Sequence, residues 1–183
     1  MKYDPERHHR RSIRLSGWDY TSAGAYFVTI CTHERSRLFG KVVDGQMQMN
    51  EYGQIVWACW KEIPLHFPHV ELDAFVVMPN HVHGIIILAP VGARHAVPPR
   101  FGKPVPGSIP TILRSFKSAV TKRINALREV PGAPVWQSNY YEHIIRYERE
   151  WGHIREYILN NPARWETNEN NPDFPSLWRV RQR

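Results

Sequence analysis

The stretch from Val76 to Leu88, VVMPNHVHGIIIL, leaves few alternatives for the middle of the chain. It reads as the end of one buried strand, a tight turn at Pro79-Asn80 and a second buried strand. The second strand opens with His81-Val82-His83. Residues two apart on a strand share a face, so His81 and His83 aim their imidazoles one way and Val82 points the other. Two nearby neutral imidazoles bind a divalent metal when an oxygen or nitrogen donor completes the set. A His-x-His pair beside a turn is more often a plain polar strand end. Here the apolar run behind it would fix both rings rigidly.

The flanking sequence builds outward from this hairpin. Ala25–Thr32 is rich in β-branched and aromatic residues and reads as the first core strand. Phe39–Met49 carries the hairpin signal Asp44-Gly45. Asn50 caps a helix across Glu51–Pro64, with Ile55, Val56, Cys59, Trp60 and Ile63 on its core face. Val70–Met78 and His81–Leu88 are antiparallel neighbours. Ser108 or Thr111 opens a helix to about Glu129, with Ile109, Ile112, Leu113, Phe116, Val120, Ile124 and Leu127 as its buried stripe. Arg114, Lys117, Thr121, Lys122, Asn125 and Arg128 fall on the other side. Val135–Ile145 is a fourth strand or extended segment. A final helix runs from Glu148 to about Asn160 with Trp151, Ile154 and Ile158 inward, and Pro162 stops it. The core order β-α-β-β-α-β predicts an α+β, ferredoxin-like split βαβ fold. Its antiparallel sheet has four to five strands and helices on one face, with the final helix an addition.

Around this domain, spanning 20–165, lie a basic arm at 1–19 and a tail at 166–183. A Pro- and Gly-rich basic loop at 89–108 interrupts the domain. Lys and Arg number 24 against 17 Asp and Glu, a net charge of +7 that favours an anionic partner, nucleic acid above all. The longest apolar run is too short to span a bilayer, which argues against a membrane protein, and no secretory signal is visible. Cys31 and Cys59 lie far apart, without zinc-site spacing, which suits reduced thiols in a cytoplasmic protein.

Tyr157 and Asn161 are four apart at the end of the last helix and share a face if the helix persists that far, with His153 one turn earlier. A tyrosine hydroxyl facing a metal site is a potential nucleophile, and an asparagine carbonyl suits magnesium or manganese beside two imidazoles. From spacing alone, a surface aromatic and a helix cap are the commoner reading of the pair.

The combination is more specific than its parts. His81-Val82-His83 after Val76–Asn80 resembles the His-hydrophobic-His motif of single-tyrosine transposases acting on single-stranded DNA. Trp136-Gln137, Tyr140–Arg146 and Tyr157-Ile158-Leu159-Asn160-Asn161-Pro162 resemble one bacterial branch, the REP-associated tyrosine transposases. The resemblance implies Tyr157 as nucleophile and His81, His83 and Asn161 as ligands of Mg2+ or Mn2+. Mobile-element relatives often carry Gln at the last position. It implies a metal-dependent endonuclease that nicks and transfers single-stranded DNA through a 5′-phosphotyrosine intermediate, in DNA transposition or recombination, at hairpins of REP-like palindromes. It favours a monomer acting in cis, although domain-exchanged homodimers exist among relatives, and a place in the bacterial cytoplasm near the nucleoid. Candidate DNA contacts are Arg7, Arg10, Arg11 and Arg14 of the arm, Arg114, Lys117 and Lys122 of the helix face, and Tyr140 and Tyr141, which read equally as stacking platforms or as sheet residues. The alternative is a domesticated protein that binds DNA or RNA hairpins without cutting. Other His-x-His hydrolases fit less well: amidohydrolase barrels need a longer chain, and histidine-triad enzymes need a third alternate histidine where Ile85 stands.

Overall fold

The computed structural model describes residues 23–89, 107–168 and 170–173. The basic arm, most of the Pro- and Gly-rich loop, and Phe174 and Trp178 of the tail lie outside the described residues. Strand β1 (Gly24–Cys31) is followed by the hairpin β2 (Gly40–Val43) and β3 (Gln46–Met49), helix α1 (Glu51–Lys61) and the single turn α2 (Ile63–His66). Then come β4 (Val70–Met78), β5 (His81–Leu88), α3 (Ile109–Leu127), β6 (Tyr141–Ile145) and α4 (Glu148–Leu159).

The main sheet has the order β4-β5-β1-β6, with every neighbouring pair antiparallel. This is the split βαβ arrangement expected from the element order. The β2–β3 hairpin forms a separate two-stranded sheet. Its turn places Asp44 (φ 50°) and Gly45 (φ 71°) in the left-handed region, as the Asp-Gly signal requires. Asn50 caps α1, its side-chain oxygen accepting from the Gly53 amide at 3.0 Å.

Helices α1 and α3 cover one face of the sheet. Tyr26, Val28 and Ile30 of β1, Val82 and Ile86 of β5, Trp60 of α1 and Phe116 of α3 share that core. Helix α4 lies on the opposite face, where Ile158 joins Ala25, Phe27, Ile85 and Ile145. The expectation of helices on one face therefore holds for α1 and α3, and the added helix supplies the other layer. Alternation on β5 dictates this: Val82, Gly84 and Ile86 point to α1 and α3, so His81, His83 and Ile85 must point to α4.

Two boundaries and two burial assignments differ from the sequence reading. Helix α1 stops at Lys61, because Pro64 cannot donate the next backbone hydrogen bond, and α2 restarts separately. Only Tyr141–Ile145 of the expected 135–145 strand pairs with β1; Trp136 makes one bridge to Thr32. Between them Lys117 Nζ holds the carbonyls of Gln137 (2.5 Å) and Ser138 (3.1 Å), which draws the chain to α3. Leu127 is 47% exposed, since the stripe leaves the sheet after Ile124. Asn125, expected outside, is buried and donates to Ala133 O at 3.0 Å, fastening the loop after α3.

Strand β4 carries a bulge between Leu72 and Phe75. It puts both Asp73 and Ala74 on the α4 side, while Leu72 and Phe75 keep to the main core. Asp73 accepts hydrogen bonds from Trp151 Nε1 and from Arg155 Nε (2.9 and 2.8 Å). Burial pushes this carboxyl up, but the bonds from Arg155 and Trp151 outweigh it and hold it below the usual range. Thus a bulge on β4 anchors the helix that bears Tyr157.

Candidate metal centre and tyrosine

The β1/β5 register sets Thr29 opposite His83 and Cys31 opposite His81. Both imidazoles are buried, at 0% and 2% exposure. Their Nε2 atoms face one another at 3.1 Å. The opposite ring nitrogens are fixed by neighbours. His81 Nδ1 lies 2.7 Å from Asn80 Oδ1, and His83 Nδ1 lies 2.8 Å from Thr29 Oγ1.

These contacts assign protons. Asn80 Nδ2 donates to the carbonyls of Arg35 (3.1 Å) and Asn170 (2.8 Å), so Asn80 Oδ1 is the atom left facing His81. A carbonyl oxygen only accepts, so His81 carries its proton on Nδ1 and a lone pair on Nε2. Thr29 can donate or accept, so His83 can hold its proton on either nitrogen. With the proton on Nδ1, two lone pairs converge, and a cation is the partner that suits them. At 3.1 Å the two Nε2 atoms are near enough for one ion to be held by both.

Burial drives the His81 pKa down to about 3; the positive charge of Arg35 pushes the same way, and a hydrogen bond with Asn161 opposes them. Burial, and then the neighbouring His81, hold His83 well below its ordinary value. Both rings are neutral near pH 7, the protonation state a metal ligand needs.

Asn161 follows α4 and is 1% exposed. Its side chain hydrogen-bonds His81, and its Oδ1 accepts from Asn168 Nδ2 at 3.0 Å. The groups that could hold a metal here are two imidazoles and an amide. Among the described residues no three His, Cys, Asp or Glu side chains cluster to hold a metal. An N,N,O set without a fixed charge fits a hard divalent ion whose remaining positions go to water or phosphate oxygen.

Tyr157 lies at the edge of the packed face of α4, 37% exposed, with its hydroxyl 3.3 Å from His83 Nε2. Phe27 stacks on His83 (centroids 5.4 Å, 26°) and meets Tyr157 edge-on (6.1 Å, 84°), so one β1 residue wedges both. The structure thus brings Tyr157, His81, His83 and Asn161 together within one chain.

The other candidates are dispersed. Arg114 and Lys122 lie on α3, across the sheet from Tyr157, and with Lys117 they line a groove of about 690 Å³ beside residues 131–138. Tyr140 packs half-buried against the α1/α3 core, whereas Tyr141 is 51% exposed on the α4 side. Arg7, Arg10, Arg11 and Arg14 lie outside the described residues.

Several site residues escaped the sequence reading. Thr29 was visible only as a strand residue and Asn80 only as a turn former. The Asn-rich segment after α4 is part of the site. Asn170 Oδ1 accepts from Arg35 Nη1 at 2.7 Å, Asn171 Oδ1 from Arg37 Nη2 at 3.1 Å, and Asp173 also pairs with Arg37. Trp165 is buried and stacks on His81 at 6.1 Å. The density of Asn at 168–171 was the one available signal.

No family model matches the sequence. An uncharacterized protein of Haemophilus influenzae is 45% identical over 175 residues, covering 92% of this chain and 96% of its own. A second protein of that organism, named provisionally as a REP-associated tyrosine transposase, is 25% identical over 158 residues, covering 86% of this chain and 80% of its own. Among solved structures, a REP-associated tyrosine transposase bound to a REP hairpin has the same fold. Its TM-score is 0.57 at 22% identity, over 91% of this chain and 84% of that one. The chain belongs to one family with the uncharacterized Haemophilus protein; it is similar in sequence to that organism's provisionally named REP-associated tyrosine transposase and shares the fold of the hairpin-bound one.

Proposed function

We propose that this protein nicks single-stranded DNA beside a hairpin and transfers the strand, with Tyr157 as nucleophile and His81, His83 and Asn161 as ligands of Mg2+ or Mn2+. The observation that carries the reading is the Tyr157 hydroxyl 3.3 Å from His83 Nε2, on a pair of buried neutral imidazoles. A divalent ion at these ligands would neutralise a phosphate oxygen of the scissile linkage.

Tyr157 attacks phosphorus. Its P–O bond forms as the bond to the 3′ oxygen breaks. The phenol gives up its proton and the 3′ oxygen takes one, leaving a 5′-phosphotyrosine and a free 3′-hydroxyl. A phenol of ordinary pKa, about 10, needs that proton removed as it attacks. The phosphoester is conserved, so a second 3′-hydroxyl can reverse the step and join strands without a nucleotide cofactor. Phe27 and the Asp73 anchor of α4 keep the tyrosine ring in place.

Hairpin DNA as substrate is supported by the structural neighbour, which is described as bound to a REP hairpin, and by the net charge of +7. The test is incubation with a labelled hairpin oligonucleotide carrying single-stranded flanks, with Mn2+, followed by denaturing electrophoresis. A protein–DNA adduct is expected from the wild type and none from Tyr157→Phe, which retains hairpin binding. Cleavage by Tyr157→Phe at the wild-type rate overturns the assignment.

A further inference from the structure

Beside the tyrosine, a groove of about 570 Å³ opens between β6 and the first turns of α4. Phe27 forms its inner end and Tyr141 and Tyr147 its aromatic walls, with His143, Arg149 and His153 as polar lining. We propose that this groove receives one unpaired nucleobase of the DNA strand next to the phosphate that Tyr157 attacks, stacked against Tyr141. The proposal rests on the nicking function above and assigns a base-binding subsite to it.

Three observations carry it. The groove adjoins the candidate site across a single ring, since Phe27 meets Tyr157 at 6.1 Å on one side and Tyr141 edge-on at 6.2 Å on the other. Its aromatic rings are unusually open to solvent, Tyr141 at 51% and Tyr147 at 72%. Tyr141 touches Phe27 by an edge contact (68°), which leaves ring area outside that contact for a base. The charge also suits a nucleotide. Glu150 is the one carboxylate in the lining, and it is engaged by His143 Nε2 at 2.7 Å and by the Arg146 amide at 2.9 Å, whereas Arg149 is an exposed cation. An aromatic platform with a cation beside it binds a base by its face and a phosphate by its charge. The basic groove along α3 lies across the sheet and cannot serve this position.

The test measures affinity in the Tyr157→Phe background, so that no cutting intervenes, using hairpin oligonucleotides in which each flanking nucleotide in turn is made abasic. One position is expected to lose roughly 5- to 150-fold in affinity. In Tyr141→Ala that position should become indifferent to the base, and Tyr141→Phe should restore the preference. Tyr147→Ala, on an exposed ring, supplies an independent variant in which the same position loses part of its preference. A flat abasic profile, or a Tyr141→Ala loss that is equal for all oligonucleotides, overturns the groove while leaving the nicking function intact. Failure of the protein to bind any hairpin oligonucleotide removes the nicking function, and the subsite with it.

Discussion

Thr29→Val tests the proton assignment at the paired histidines. The substitution keeps the shape of the side chain and removes one hydroxyl, which lies 2.8 Å from His83 Nδ1. When His83 Nε2 faces a metal, the ring proton is on Nδ1 and needs an acceptor. His83 is 2% exposed, and an isosteric valine opens no room for water to replace the lost oxygen. A buried N–H left without a partner costs about 1–3 kcal/mol, and loss of such an orienting bond typically weakens metal binding about 10- to 100-fold. Calorimetric titration with Mn2+ should show a loss in that range for Thr29→Val and near wild-type affinity for Thr29→Ser, with both proteins still melting cooperatively. Equal Mn2+ affinity for the valine and wild-type proteins would refute the argument that Thr29 accepts the His83 Nδ1 proton when Nε2 faces the metal.

Three further outcomes follow from other parts of the fold. A Cβ on Gly84 would run into the Trp60 ring and come 2.9 Å from Phe75 Cδ2, in a stack whose centroids are 4.3 Å apart; Gly84→Ala should cost about 3 kcal/mol and lower the melting temperature by roughly 10 °C. Asp73→Ala releases Trp151 and Arg155 of α4 and should lower the nicking rate roughly 10- to 100-fold with a smaller loss of hairpin affinity, since the helix carries the nucleophile and one side of the base groove; a pure affinity loss would contradict this. His81 has a folded pKa of about 3 against about 6.5 unfolded, so the unfolded chain binds the extra proton between those values. Metal-free stability should therefore be full above about pH 6.5 and fall on acidification by up to about 1.4 kcal/mol per pH unit for this group. Urea unfolding at pH 7 and pH 5 should show a smaller fall in His81→Gln, and an equal fall would exclude His81 as the source.

The hairpin at Val76–Leu88 fixed its own outcome, because turn chemistry and the two-residue side-chain period are local. His81 and His83 had to share a face whatever else the chain did. The order of strands and helices likewise limited the sheet to a split βαβ pattern, since connection length and handedness leave few ways to pack it. Which layer would cover the histidines was not local. It depended on α4 crossing to the far face, held there by Asp73, and Asp73 faces α4 through a bulge that no periodicity announces. The same holds for Tyr157 and Asn161. Their spacing was equally that of a surface aromatic and a helix cap, and only the packing of Ile158 against Phe27 and Ile85 brings the phenol to His83. Thr29, Asn80 and Asn168 became site residues for the same reason. A hydrogen bond between groups 54 or 7 residues apart is a property of where strands and loops meet, and that meeting is decided by the whole core rather than by any one segment.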